Sequence, residues 1–432
     1  MLTGRPAARE GYDLVIAGGG ASGLLAAGRA AELGLTVLVL EKMKKPGIKL
    51  SISGKGRCNI TNSASLVDFI KRIKPDGRFL RQAFHRFFNT DTVEFFEASG
   101  VPVRLERGGR YFPESQRAGD IVHALLAYCK THGVKIQTGS RVVEIVAECS
   151  RASGVYFRPA GSKKKERVSC KGVLLATGGN CYHSTGTTGD GYRIASLLGH
   201  SVTRIFAAQA PVDLHMEHLV ELKGLHLKNV LLSLWRDGRR LSKEFGEMNF
   251  TGTGVSGPIV LKLSRLVSEY LLEGKKSLSF EIDLKPAVDG KTLDNRLIKR
   301  VNEIGKKNME TLLKEFLPKQ LIKSCCKINA INPEMRALEL GADARKRLRN
   351  WMKCFILPID AVRPIDEAIV TAGGICLREV NPRTMESKIV ESLFFSGEIL
   401  DVDADTGGFN LQAAFSTGIL AAESAHKKLQ NL

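Results

Sequence analysis

Three glycines and one acid carry the first chemistry in the chain. Gly18, Gly20 and Gly23 form GxGxxG within "AGGGASGLLAA". The first glycine of such a loop allows a tight turn, and the second lets a pyrophosphate approach the backbone. The third lets the next helix pack closely on its strand. Ala21 and Ser22 fall where that helix begins, with free N–H groups turned to phosphate. Glu41 ends a second apolar run, "TVLVLE", 18 residues after Gly23, and a carboxylate there can bond ribose hydroxyls; Lys42 follows it. Together they point to a dinucleotide.

A second group lies in "KLSISGKGRCNITN", residues 49–62. Little in it can build a core, so it reads as a surface loop. Its glycines, Gly54 and Gly56, can bring backbone close to a flat ring. Lys49, Ser53, Arg57 and Asn59 can bond phosphate or ring heteroatoms. Cys58 has two readings. It packs as a small apolar side chain, or its thiol, beside Arg57, gives a proton to a substrate. His183, in "NCYHSTGTTGDGY", is a third acid/base candidate, although a lone histidine near a glycine turn is more often incidental.

The elements that must position these groups follow from the apolar pattern. "YDLVIAGGGASGLLAAGRAAELGLTVLVLEK" reads as strand, turn, helix, strand, with buried parallel strands. Residues 64–100 read as helical, "VPVRLERGGRYFP" as a hairpin, and 116–132 as a helix. Short strands fill 134–170. "KGVLLATGGN" is another buried strand, and Thr177, Gly178 and Gly179 form a second turn beside the dinucleotide. After residue 205 the pattern changes. Asp237-Gly238 sits between alternating runs as a hairpin turn, and 290–354 is helical and rich in Lys and Arg. From 355 short strands return, up to "SGEILDVDADTGGFNLQAAFSTG". There Gly397, Glu398 and Asp401 precede a Gly407-Gly408 turn that opens a helix. Its positive N-terminus would suit the pyrimidine end of a reduced flavin, which favours FAD over NAD. The expected architecture is α/β: a Rossmann-type FAD-binding domain in two pieces, 1–205 and 355–432. A β-rich insert, 206–289, and a basic helical insert, 290–354, lie between them.

Composition sets wider bounds. The chain has 432 residues, 43% hydrophobic and 25% charged, which is ordinary globular composition for two or three domains. Its nine cysteines form no CxxC and no cluster at metal spacing, so no metal is expected. No apolar run is long enough for a membrane span and no secretory h-region is seen, which fits a reduced, cytoplasmic protein. The net charge of +19 permits nucleic acid, an anionic membrane or a polyanionic substrate.

The motifs "AGGGASGLLAA", "SISGKGRCNITN", "ATGG" with "TGTTGDGY", "FTGTGVSGP", "TAGGICLREVNPRTMESK" and "FFSGEILDVDADTGGFNLQAAFSTG" span residues 14–420. In this combination the chain resembles a family of FAD-dependent oxidoreductases. That family includes aminoacetone oxidase, a bile-acid double-bond reductase and a ribosomal-RNA dihydrouridine synthase. The resemblance implies that the GRCN loop folds back over the flavin, so that Ser53, Gly54, Gly56, Arg57, Cys58 and Asn59 face it. It also implies cofactor contacts from Val143, Phe409, Asn410 and Leu411. Members often carry Tyr-Pro after "ATGG", whereas here Tyr182 is followed by His183.

The expected activity is a reductase: FAD takes hydride from NADPH or NADH and delivers it to an activated C=C bond. No second GxGxxG unit stands ready for a nicotinamide, which would visit the flavin transiently. Uridine in structured RNA is the expected substrate, with Arg345, Lys346, Arg347, Arg349 and Lys353 of "RKRLRNWMK" as phosphate contacts. The alternatives are a small unsaturated metabolite, an amine oxidase that needs no nicotinamide, and a flavin-binding RNA protein without activity. A solvated basic face is the plain reading of the charge.

Overall fold

The computed structural model describes residues 11–216, 219–274 and 277–430. The chain divides into two compact units: residues up to Phe206 with those from Ile369 onward, and Ala207–Ala368.

The first unit is built on a seven-stranded sheet. Tyr12–Ala17 lies at its centre, parallel to Val37–Leu40 on one side and to the C-terminal half of Glu166–Leu175 on the other. Lys135–Gln137 and Leu393–Phe395 extend it in parallel. Leu14, Val15 and Ile16 are fully buried, as a central parallel strand covered on both faces requires. Ser140–Glu148 and Arg151–Pro159 complete the sheet as an antiparallel extension. The helix Ala21–Glu32 follows the glycine turn and buries Leu24, Leu25 and Ala27. The last helix, Phe409–Leu429, touches it closely: a Cβ on Gly418 would stand 2.7 Å from the Ser22 carbonyl oxygen. The hairpin Val103–Glu106 with Arg110–Pro113 forms where the sequence places it.

The second unit is a closed six-stranded barrel. The long hairpin His226–Arg236 with Arg239–Phe250 turns at Asp237-Gly238, as its turn chemistry predicts. The four helices Gly290–Ile304, Met309–Leu313, Lys319–Asn329 and Ala342–Lys353 bury Leu293, Leu297, Leu312, Leu321 and Trp351 in one core with barrel residues Leu232, Leu234 and Phe280. The β-rich and helical segments therefore share a core instead of forming separate domains. The expected boundary at 355 also shifts. Phe355–Val362 pairs with Leu278–Asp283 and Val212–Leu214 and closes the barrel, so the first unit resumes only at Ile369. Among the described residues no helix is long and apolar enough to cross a membrane.

Candidate functional site

The site lies within the first unit, where four loops meet at the C-terminal ends of the parallel strands. The glycine turn is the first. Gly18 has φ +109°, and a Cβ there would stand 2.4 Å from the Ala176 carbonyl oxygen, so only glycine fits. A Cβ on Gly23 would meet the Gly18 carbonyl oxygen at 2.0 Å. Gly20 is different: its added Cβ would meet nothing within 4 Å, and no side chain caps the helix that starts at Ala21. Close packing thus dictates the first and third glycines, while the second faces open space in front of uncapped N–H groups. That is the cradle a pyrophosphate needs.

Glu41 is buried directly below. Its Oε2 accepts the Gly19 N–H at 2.7 Å and its Oε1 accepts the Met43 N–H at 2.7 Å. Both oxygens keep lone pairs that ribose hydroxyls can use. Lys42 turns to Asp190, 2.9 Å away, and to the Thr188 hydroxyl at 2.6 Å. Arg141 also grips Asp190, with Nε 3.0 Å from Oδ2. Burial alone would push the Asp190 carboxyl up, but these two cations hold it below the usual carboxylate range. Val143 is buried in the neighbouring strand, where its carbonyl accepts from Arg193 at 3.0 Å.

The second loop is the GRCN segment. Gly47 donates to the Gly19 carbonyl at 2.8 Å, which ties the helix Ile48–Gly56 to the glycine turn. This helix breaks at Ser53, Gly54 and Lys55, and the last two adopt positive φ. At its far end Thr61 packs on Gly408: a Cβ there would stand 2.4 Å from the Thr61 carbonyl oxygen. Asn62 Nδ2 donates to the Gly407 carbonyl at 2.9 Å. The segment therefore bridges the pyrophosphate turn and the N-terminus of the last helix. Phe409 is buried there, Asn410 braces the Ala404 backbone through both amide atoms, and Leu411 is half-buried.

Arg57 and Cys58 point apart. The Arg57 guanidinium lies 4.0 Å over the Phe112 ring, 2.5 Å from Glu106, and bonds Gln116. The Cys58 thiol is fully buried, with Ser53 as its side-chain partner, and burial pushes it up to about 12. It keeps its proton at neutral pH. His183 sits on an exposed turn, Nε2 3.1 Å from Asn180 Oδ1. These three catalytic candidates share no hydrogen bond among the described residues.

The remaining loops build a cluster that sequence reasoning found only in part. Lys49 Nζ lies 2.6 Å from Glu398 Oε2 and 3.0 Å from Cys181 Sγ. Cys181 Sγ is 3.3 Å from Glu398 Oε1, which also accepts the Thr371 N–H at 2.8 Å. Burial works against the Lys49 charge, yet Glu398 and Cys181 raise its pKa above the ordinary lysine value. Burial and then Glu398 push the Cys181 thiol up to about 11. Gly179 lies against this cluster, its added Cβ 3.1 Å from Glu398 Oε1. Gly397 packs on Ser22, and Asp401 donates its backbone N–H to Ile375 at 3.2 Å. Cys181 and Thr371 were missed. Each stands inside a quoted motif, but nothing local marks either as polar machinery.

Three buried polar atoms around these loops have no protein partner: Asn59 Oδ1, Thr177 Oγ1 and Ser396 Oγ. A buried acceptor or hydroxyl left alone costs about 1–3 kcal/mol, so each is suited to a ligand group. With the open face of Gly20, the residues present fit a dinucleotide, whose phosphates the Gly18–Gly23 turn would hold and whose ribose Glu41 would bond. Among the described residues no group of three or more His, Cys, Asp or Glu is placed to hold a metal ion.

The basic helix Ala342–Lys353 belongs to the second unit. Arg345 Nε is 3.2 Å from Asp294, and Lys353 is 2.6 Å from Asp283. Arg347 donates to the Asn329 carbonyl at 3.3 Å and Arg349 to Asn350 Oδ1 at 2.9 Å. Lys346 is exposed. Most of these cations fasten the helix to its own unit.

The chain is 31% identical over 416 residues to a 3-dehydro-bile acid delta(4,6)-reductase of Clostridium scindens, covering 96% of this chain and 98% of that protein. It is 28% identical over 417 residues to the ribosomal RNA dihydrouridine synthase of Escherichia coli, with the same coverage. Its fold matches 3-ketosteroid delta1-dehydrogenase from Sterolibacterium denitrificans with a TM-score of 0.54 and 15% identity, covering 97% of this chain and all of that one. A flavocytochrome c3 fumarate reductase matches with a TM-score of 0.51 and 16% identity, over 98% of this chain and 79% of that one. The profile of the HI0933-like protein Rossmann domain family covers residues 12–424, so the chain belongs to this family of FAD-dependent oxidoreductases.

Proposed function

We propose that the protein is a reductase of an activated C=C bond, and that its substrate is a uridine in structured RNA, reduced to dihydrouridine. The cradle carries the redox half of this reading, through the open Gly20 face in front of the uncapped helix N-terminus at Ala21. Bound FAD would supply hydride transfer, reloaded by NADPH or NADH. The chain's own residues do the rest. The Gly18–Gly23 turn and the N-terminus at Ala21 bind phosphate, and Glu41 orients the ribose. Lys49 places a positive charge beside the cofactor path. The net charge of +19 supports a polyanionic substrate, as does similarity to a ribosomal RNA dihydrouridine synthase. Uracil's 5,6-double bond is conjugated to a carbonyl, which makes it a hydride acceptor.

A second reading rests on the relative named a bile-acid reductase: reduction of a small conjugated enone. One experiment separates the two. The gene is deleted, dihydrouridine is mapped in total RNA, and the gene is restored. Loss and recovery of a site supports RNA. An unchanged map, with NADPH still bleaching the purified flavoprotein under anaerobic conditions, moves the substrate to the small-molecule class. Fast bleaching by amines and not by NADPH or NADH would overturn the reductase reading.

A further inference from the structure

The barrel hairpin of the second unit alternates over part of its length, between register shifts at Leu227/Val230 and Leu234/Trp235. On the strand His226–Arg236, Val230, Leu232 and Leu234 point inward and are buried. Leu231, Ser233 and Trp235 lie on the opposite face of the strand; Leu231 and Trp235 are half-buried there and Ser233 is buried. Their partners on the next strand are Phe245, Lys243 and Arg240. On the other side, Ser233 faces Glu281, which faces Ile356. The outer face of four adjacent strands thus carries two large, well exposed apolar side chains, Phe245 at 56% and Ile356 at 59%. Phe245 stands beside half-buried Leu231, its pair on the next strand.

The charges on this face fit one class of partner. Arg239, Arg240 and Lys243 are exposed, and none pairs with a carboxylate among the described residues. The Arg240 guanidinium lies 5.8 Å from the Trp235 ring, and Arg236 lies 4.9 Å from the Tyr270 ring at the hairpin's end. From Trp235 to Phe245 the hairpin holds four cations against two carboxylates, and one of these, Glu244, is bridged to Lys262 at 3.0 Å. Phe245 and Trp235 are offset by four residues along the strand, about 13 Å. Two aromatic rings at that spacing, with cations between them, match unstacked bases on a phosphate backbone. The helix Ala342–Lys353 offers less, because its Arg345, Arg347 and Lys353 are committed within the unit.

We propose that this outer barrel face, with Phe245, Trp235, Arg239, Arg240 and Lys243, docks a single-stranded loop of RNA. The inference rests on the RNA reading above and moves the contact from the basic helix to the barrel hairpin. Aromatic rings stack on bases and the three cations neutralise phosphates.

The test uses the full-length holoprotein and two fluorescein-labelled probes, a stem-loop RNA with a uridine-rich loop and a fully paired duplex of equal length. Wild type should bind the stem-loop more tightly. The triple variant Arg239→Glu, Arg240→Glu, Lys243→Glu should weaken binding at least tenfold and flatten the log–log salt dependence by about 2. Phe245→Ala should weaken stem-loop binding about tenfold and leave duplex binding unchanged. Lys346→Glu, on the basic helix, should have less than a twofold effect. All these side chains are exposed, and an unchanged flavin spectrum and melting temperature would confirm folding. Wild-type affinity in both barrel variants would overturn the surface and leave the RNA reading standing. Failure of wild type to bind either RNA would overturn both.

Discussion

The ammonium of Lys49 stands 2.6 Å from Glu398 Oε2, although 349 residues separate them in sequence. The pair joins the helix Ile48–Gly56 to the loop before the last helix, and Cys181 closes the triangle with contacts of 3.0 and 3.3 Å. Glu398 and Cys181 satisfy part of the ammonium's donor capacity, which fixes where the charge sits. Lys49→Met should keep the fold but weaken FAD binding by tenfold or more, because it removes the cation and leaves Glu398 uncompensated. Lys49→Arg should recover part of the loss, and Cys181→Ser more than Cys181→Ala. Titration of apoprotein with FAD, read by flavin fluorescence, measures this. Equal affinities across the series would show that the cluster only braces the loops.

Gly20 separates folding from binding. Its φ of −88° suits any L-residue, and an added Cβ would meet no protein atom. Gly20→Val should therefore fold with a melting temperature near that of wild-type apoprotein, yet purify colourless, because the branched side chain fills the phosphate path. Gly18→Val should fail earlier, as its Cβ would stand 2.4 Å from the Ala176 carbonyl oxygen. A yellow Gly20→Val protein would sink the assignment of this turn to pyrophosphate.

Cys58 is the clearest case of a side chain with two readings. Full burial and a thiol pushed up to about 12 favour packing, and the Arg57 charge that would activate it is spent on Glu106 and Phe112. Cys58→Ala should cost about 1 kcal/mol of stability and leave oxidation of the reduced enzyme by substrate within a few-fold of wild type. The folded protein should also resist alkylation at this thiol. A loss of about 10²-fold or more in single-turnover rate, without loss of stability, would instead identify Cys58 as the proton donor.

These contrasts show what a sequence can carry. The glycine turn is legible because its demands are local: Gly18 and Gly23 are dictated by atoms within the same strand–turn–helix unit and its neighbouring strand. The hairpin at Asp237-Gly238 is legible for the same reason. The direction of Arg57 is not, because Glu106, Gln116 and Phe112 reach it from a hairpin and a loop some 50 residues later. Nor is the unit boundary. Phe355–Val362 looks like any short apolar strand, and only its pairing with Leu278–Asp283 assigns it to the barrel. Cys181 and Thr371 acquire their role only when Glu398 is brought between them.

Asp190 should make stability depend on pH in a defined sense. Its side chain is 9% exposed and bridges Lys42 and Arg141, so it holds the "TGDGY" turn against the end of the second strand. Its folded pKa lies below the ordinary carboxylate value, because the two cations outweigh the effect of burial. A depressed carboxylate stabilises the fold fully above its unfolded pKa, about 4, and loses that contribution as pH falls toward the lower folded value. Asp190→Asn should therefore lower stability by about 2 kcal/mol at pH 7, a figure for charge-assisted hydrogen bonds that the half-exposure of Arg141 keeps modest. The gap between variant and wild type should stay constant from pH 7 to about 5 and shrink below about 4. Urea unfolding at pH 7, 5, 4 and 3.5 would measure it. A gap that is absent at pH 7, or that widens in acid, would mean that Asp190 does not anchor this turn as an ionised carboxylate.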